Sequence, residues 1–289
     1  MTAPHQGIVH ATVLAPDLQA FCVAYITQLA MGVQQQGTLD AADAVALDLP
    51  DLAGAPLAWL TNSAGQPVLR VIEDRKAAAY EPMFHHGWLS LGILVGDIDA
   101  LAAGLHAPFR MLGAPTDLEL SDAIRAAQVL GPAGELLYLN QVKAAVPPFD
   151  LPMTQDAVAT PFIGVISTPD RAASHAAWSA LLGTPGWMFD TKITVLNRAH
   201  GKPLQGQYPV AVVPMPGQCL VEIDQVELSP DHAQRRTGLY SLCLCLPEMD
   251  DSVLHAAGWR HLFGSKGRRG LRGPAGEHVE LLRPDVGPS

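Results

Sequence analysis

The sequence predicts an α+β protein of two tandem domains, each an open curved sheet built from two paired β-α-β-β-β modules. Three observations carry the prediction. Gly131-Pro132-Ala133-Gly134-Glu135 recurs as Gly273-Pro274-Ala275-Gly276-Glu277, and each copy is a Pro/Gly turn running into an alternating strand. Four strand-like segments have equivalent points at His10, Ser90, Ile163 and Ser241, which lie 80, 73 and 78 residues apart, so the chain repeats four times. A Pro-bearing stretch over 144–160 divides the four modules two and two.

In chain order, Ile8–Leu14 reads as a strand, and Pro16-Asp17 starts a helix over Leu18–Ala30 that Gly32 stops. Strand-like runs follow at Ala44–Leu49, Ala55–Leu60 and Pro67–Ile72, between Gly, Pro, Asn and Asp turns. The second module opens with Trp88–Val95, continues with a helix capped by Asp97 that runs to Leu105, and closes on the repeated strand to Val142. After the linker, Phe162–Ser167 and a helix from Pro169-Asp170 to Leu182-Gly183 open the third module, with strands near Trp187–Thr194, Tyr208–Pro214 and Cys219–Asp224. Leu239–Leu246, a helix at Asp250–Ala257 and the second repeated strand make the fourth. The expected domains are 5–143 and 161–284.

Composition narrows the class. The 289 residues are 48% hydrophobic and 16% charged, which suits buried globular cores. A net charge of −10 disfavours nucleic acid and anionic membranes as partners. No signal-like or membrane-length apolar run is present, so a cytoplasmic protein with a small-molecule ligand is expected, and a homodimer stays open. Lys266, Arg268, Arg269 and Arg272 form a basic Gly-rich loop, read as solvated or as a clamp for a carboxylate or phosphate. Cys22, Cys219, Cys243 and Cys245 match no zinc or disulfide spacing and read as buried thiols.

His10-Ala11-Thr12-Val13-Leu14-Ala15-Pro16-Asp17, Val95-Gly96-Asp97-Ile98-Asp99 and the two Gly-Pro-Ala-Gly-Glu strands resemble the vicinal oxygen chelate superfamily. That superfamily includes glyoxalase I, bleomycin-resistance proteins, methylmalonyl-CoA epimerase and extradiol dioxygenases. The resemblance implies cups made of two modules, with His and Glu from the first and last strands of each module chelating a divalent metal. Carried over residue by residue, the first cup would hold His10, Ser90 and Tyr138, with Arg70 or Glu73. The second would hold Ile163, Ser241, Glu222 and Glu280. Ser and Tyr are poor ligands for iron, zinc or nickel, so Ser90, Tyr138, Ile163 and Ser241 disfavour a metal. The remaining metal candidates are His10, Glu222 and Glu280, and no other cofactor is implied.

His10 sits mid-strand and is either a satisfied core group or a general base, with Tyr138 and Arg70 stabilising an oxyanion. Tyr138 could equally cover the cup floor. Glu222 and Glu280 lie inside apolar strands, where a carboxylate must be paired, hydrogen-bonded or protonated. They are read as an acid-base pair, partial metal ligands, or partners of Arg235, Arg236 or Arg283, and Asp224 shares a face with Glu222. Trp88, Ser90, Ser241 and His278 are expected to touch substrate, with His85-His86 near the rim. The expected function is an enzyme acting on a hydrophobic or aromatic oxygenated compound as a lyase, isomerase or ring-opening catalyst through proton transfer. The alternatives are a metal-free sequestering protein of the bleomycin-resistance kind and an extradiol dioxygenase-like metal enzyme.

Overall fold

A computed structural model describes residues 6–119, 121–228, 236–247, 250–265 and 268–283. Lys266 and Arg235 lie outside them. Module one comprises β1 (Gly7–Ala15), α1 (Leu18–Leu29), β2 (Gly32–Thr38), α2 (Ala41–Ala46), β3 (Pro56–Thr61) and β4 (Pro67–Glu73). Module two comprises β5 (Gly87–Leu94), α3 (Ile98–Gly104), β6 (Arg110–Leu118), β7 (Ser121–Leu130) and β8 (Leu136–Val142). Module three comprises β9 (Pro161–Thr168), α4 (Arg171–Leu182), β10 (Trp187–Lys192), α5 (Thr194–Ala199), β11 (Gln207–Met215) and β12 (Cys219–Gln225). Module four comprises β13 (Gly238–Cys245), α6 (Asp251–Ala256), β14 (Arg260–Ser265), β15 (Arg268–Arg272) and β16 (His278–Leu282).

The α+β class and the paired modules stand, but the partners differ from those expected. The two eight-stranded sheets run β14-β15-β16-β13-β1-β4-β3-β2 and β10-β11-β12-β9-β5-β8-β7-β6. Module one therefore shares a sheet with module four, through antiparallel β1 and β13, and module two with module three, through β5 and β9. Residues 5–143 and 161–284 do not each close a cup. The 144–160 stretch explains why. It is pinned along the end of β5, with Gly96 N–H donating to Asp156 O (2.8 Å) and Ala159 N–H to Leu94 O (2.8 Å), so it delivers β9 directly beside β5.

Asp17, Asp97 and Asp170 cap α1, α3 and α4, each accepting a backbone N–H with its side chain. Gly183 ends α4 in the left-handed region, at φ 67. The segment expected as a strand at Ala44–Leu49 is instead α2 and the turn after it. Asp40 caps that helix through Asp43 N–H, and the apolar run packs in a separate cluster with Leu14, Leu57 and Ile72. β2 (Gly-Val-Gln-Gln-Gln-Gly-Thr) was not expected as a strand, because it is an exposed edge strand without apolar alternation.

The repeated Gly-Pro-Ala-Gly-Glu is a lock between modules. Glu135 folds back over its own turn, accepts from Ala133 N (2.9 Å), and takes the Tyr25 hydroxyl of α1 (2.6 Å). Glu277 does the same with Ala275 N (3.0 Å) and Trp178 Nε1 of α4 (2.9 Å). Gly131 and Gly273 are required because a Cβ at either would collide with the Glu135 or Glu277 carboxylate. The lock ties module one to two and three to four, while the sheets tie one to four and two to three. The two sheets meet at Gly164, where a Cβ would lie 2.7 Å from Trp88 Cζ3 and against Leu242.

Candidate functional site

Register and period-two alternation place one row of side chains on the same face of each sheet. In the module-one/module-four sheet, His10 is opposite Cys243, which is opposite Glu280, and Trp59–Arg70–Thr12–Ser241–His278 form the next row. Arg70 and Glu280 stand three strand spacings apart, roughly 14 Å on a flat sheet. Arg70 Nη2 nonetheless hydrogen-bonds Glu280 Oε1, so this face is concave. Arg70 Nε and Nη2 also donate to Thr12 Oγ1 (3.1 and 2.6 Å), and Ser241 Oγ donates to Glu280 Oε1 (3.1 Å).

The choice between Arg70 and Glu73 is thereby resolved for Arg70. Glu73 points away, accepting from Leu18 N (3.2 Å) at the start of α1 and pairing with Arg75. Glu280 finds its arginine 210 residues away rather than locally, while Arg236 contacts His85 (3.0 Å). Burial would raise the Glu280 carboxyl, but Arg70 and His10 outweigh it and hold it at about 2. Burial, with Arg70 beside it, holds His10 down at about 3, and burial likewise lowers His278 to about 4. Both imidazoles are neutral at physiological pH.

The second cup collects Ser90, Tyr138, Ile163, Glu222 and Asp224. Trp187–Val212–Glu222–Val165–Ser90 and Phe189–Val210–Asp224–Ser167 run across it in register, with Tyr208 next to Val210 on the same face. Glu222 and Asp224 interact side by side on β12. Burial raises both carboxyls, and the Glu222 charge carries Asp224 further, well above the carboxylate range. The pair therefore keeps a proton that isolated carboxylates would lose. Burial first, then Asp224 and Glu222, push the Tyr138 phenol up, so it stays a donor. Ser90 Oγ, Asp224 Oδ1 and Tyr208 Oη are buried without a partner among the described residues. Glu222, Tyr138, Ile163 and Phe189 are only partly buried, and Trp187 is exposed at the rim.

Two expected groupings are thus corrected. His10 and Tyr138 lie in different cups, as do Glu222 and Glu280, because the modules pair one with four and two with three. Trp88 is not in a cup: it is 5% exposed, stands edge-on to Trp178 (5.9 Å) between the sheets, and donates to His278 O (2.7 Å). Tyr208, Thr12 and Trp59 were missed. Thr12 and Trp59 lie in register with Arg70, so a correct strand alignment could have found them.

Neither cup suits a divalent ion. In the first, the guanidinium of Arg70 already occupies the Glu280 carboxylate, and a second cation there would be repelled. In the second, Glu222 and Asp224 supply two carboxylates joined by the hydroxyls of Ser90, Tyr138 and Tyr208, with His86 Nδ1 3.4 Å from Ser167 Oγ in the Asp224 row. Hydroxyls are poor ligands for iron, zinc or nickel. Among the described residues, no three or more His, Cys, Asp or Glu side chains are arranged to hold a metal. The four cysteines are buried free thiols, and no described helix is long and apolar enough to cross a membrane.

No protein-family model and no curated protein matches the chain. Solved structures do. A glyoxalase I point variant from Zea mays superposes with a TM-score of 0.66 at 13% identity, covering 97% of this chain and 95% of that one. Unsubstituted Zea mays glyoxalase I gives 0.63 at 13%, covering 96% and 92%. A putative dioxygenase from Bacillus subtilis gives 0.63 at 10%, covering 99% and 87%. The chain shares the fold of these glyoxalase I and dioxygenase structures.

Proposed function

We propose that the cup of modules two and three is an active site that moves a proton on a small oxygenated organic compound with an aromatic or apolar body, without a resident metal. The observation that carries this reading is geometric: Glu222 and Asp224 stand side by side on β12 in a partly open, aromatic-walled cup, with Asp224 Oδ1, Ser90 Oγ and Tyr208 Oη unpartnered among the described residues. Burial raises both carboxyls. Such a pair supplies a base and an acid side by side near neutral pH.

Glu222, the more accessible carboxylate, takes a proton from a carbon next to a carbonyl. The C–H electrons move to the carbonyl oxygen, where the protonated Tyr138 phenol donates to the developing oxyanion. Returning the proton to the same or a neighbouring atom completes an exchange or an isomerisation. Trp187 and Phe189, in register with the two carboxylates, bound the apolar part of the compound.

The test is deuterium exchange. The protein is incubated in D2O with a panel of aryl ketones and 2-oxo acids, and loss of the C–H signal next to the carbonyl is followed by NMR. Accelerated exchange that is lost in Glu222→Gln and Asp224→Asn but kept in His10→Ala supports the reading. Saturable binding without exchange overturns it in favour of a sequestering protein.

A further inference from the structure

The cup of modules one and four is not used in that chemistry, yet it holds buried groups that call for a partner. His10 Nδ1 and Nε2, His278 Nδ1 and Nε2, and Arg70 Nη1 have no hydrogen-bond partner among the described residues, and the three residues are 3%, 2% and 1% exposed. Five unpartnered nitrogens on three strands of one concave face form an unusual concentration, since buried polar groups are normally satisfied. The rest of the Arg70 fork is already fixed by Thr12 and Glu280, which leaves the Nη1 edge oriented and free. His10 stands edge-on to Trp59 (ring centroids 4.6 Å apart), and Arg70 lies over the same indole at 5.7 Å.

Over this face lies the segment that carries α2. Its Leu39, Ala44, Leu47, Leu49 and Leu52 cluster with Leu57 and Ile72, with Trp59 and Tyr240 packed alongside. The segment is tied to the opposite wall by Asp43–Arg268 (3.0 Å), Asp48–Arg272 (2.7 Å) and a Tyr240 Oη donation to Leu47 O (2.6 Å). Arg268 and Arg272 of β15, expected in a basic loop, therefore act as a clamp on the protein's own carboxylates.

We propose that this cup is a second site, which binds a monocarboxylate with an aromatic or branched body. The carboxylate oxygens accept from Arg70 Nη1 and the ring N–H of His10, while the hydrocarbon lies against Trp59, Tyr240 and the leucines of the covering segment. Planar carboxylate recognition suits an arginine edge. Because Glu280 already neutralises Arg70, an added anion leaves a net negative charge in a dry cup, and His10 takes up a proton to balance it. The charged and titratable groups around His10 are Arg70 on β4, Tyr240 and Cys243 on β13, Arg268 and Arg272 on β15, His278 and Glu280 on β16, and Asp43 and Asp48 of the covering segment.

The experiment is a titration of the full chain with benzoate, followed by imidazole NMR and by calorimetry in two buffers of different ionisation enthalpy. Benzamide is the uncharged control. The expected result is a benzoate-dependent shift of the His10 ring signals with proton uptake, none with benzamide, and affinity weakening as pH rises from 6 to 8. Glu280→Gln, which keeps the shape but releases the Arg70 charge, should bind benzoate at least tenfold more tightly. Unmoved His10 signals at millimolar benzoate, in both the wild type and Glu280→Gln, overturn the proposal. So does binding that moves only groups of the other cup, or nitrogens satisfied by water alone.

Discussion

Replacing Glu135 and Glu277 by glutamine, one at a time, separates two locks that look identical in sequence. Burial raises both carboxyls to about 7. A raised acid favours folding below its unfolded pKa, and that contribution is lost as pH climbs from about 4.5 through 7. Between those limits the raised carboxyl is worth about 3 kcal/mol per site. Glutamine cannot ionise, so each variant should lose its share of this slope. The partners then distinguish the two. The Tyr25 hydroxyl can accept as well as donate, so a glutamine at 135 can donate its amide to Tyr25 and accept from Ala133 N. Trp178 Nε1 and Ala275 N both only donate, so a glutamine at 277 must turn its NH2 toward a donor. Urea unfolding at pH 5 and pH 8.5 checks this. Glu135→Gln should be near neutral at pH 5 and more stable than wild type at pH 8.5, by about 2–3 kcal/mol. Glu277→Gln should be destabilised by about 1–3 kcal/mol at pH 5 and recover by the same linkage amount, so that at pH 8.5 it stands near wild type and still below Glu135→Gln. Equal behaviour of the two variants at both pH values would refute the hydrogen-bond reasoning.

Further outcomes follow from the same contacts. Gly131→Ala and Gly273→Ala push the locking carboxylate off its helix partner, and each should cost about 2–4 kcal/mol in thermal or urea unfolding. Arg70→Met leaves the Glu280 carboxylate buried and unpaired, at a cost of about 3–5 kcal/mol, and adding Glu280→Met should recover most of it. Gly164→Val wedges the sheets apart against Trp88 and Leu242, which should lower the unfolding midpoint and shift the tryptophan emission.

Much of the fold was legible because it is written locally and repeatedly. Aspartate caps at 17, 97 and 170 and the twin Gly-Pro-Ala-Gly-Glu turns mark module boundaries that survive in the structure. Module partnership was not legible, since it depends on the strand pairs β1–β13 and β5–β9, whose apolar faces read alike in sequence. That choice decided the site. His10, Glu280 and Ser241 were each read as cup residues and Arg70 was left open against Glu73, and their grouping waited on the pairing. The Arg70–Glu280 bond spans 210 residues, a separation that no spacing rule anticipates. The α2 segment was misread because its alanines and leucines also fit a short strand, and only the Asp40 cap distinguishes them.

The central claim is that Glu222 and Asp224 hold a shared proton in the cup of modules two and three. Carboxyl carbon NMR across a pH titration, assigned with Glu222→Gln and Asp224→Asn, tests it directly. The account predicts two coupled steps for the pair, the upper one well above the range of an isolated carboxylate, and collapse to a single step in either variant. Independent ionisation of both carboxyls below about pH 5, the range of isolated carboxylates, would contradict it.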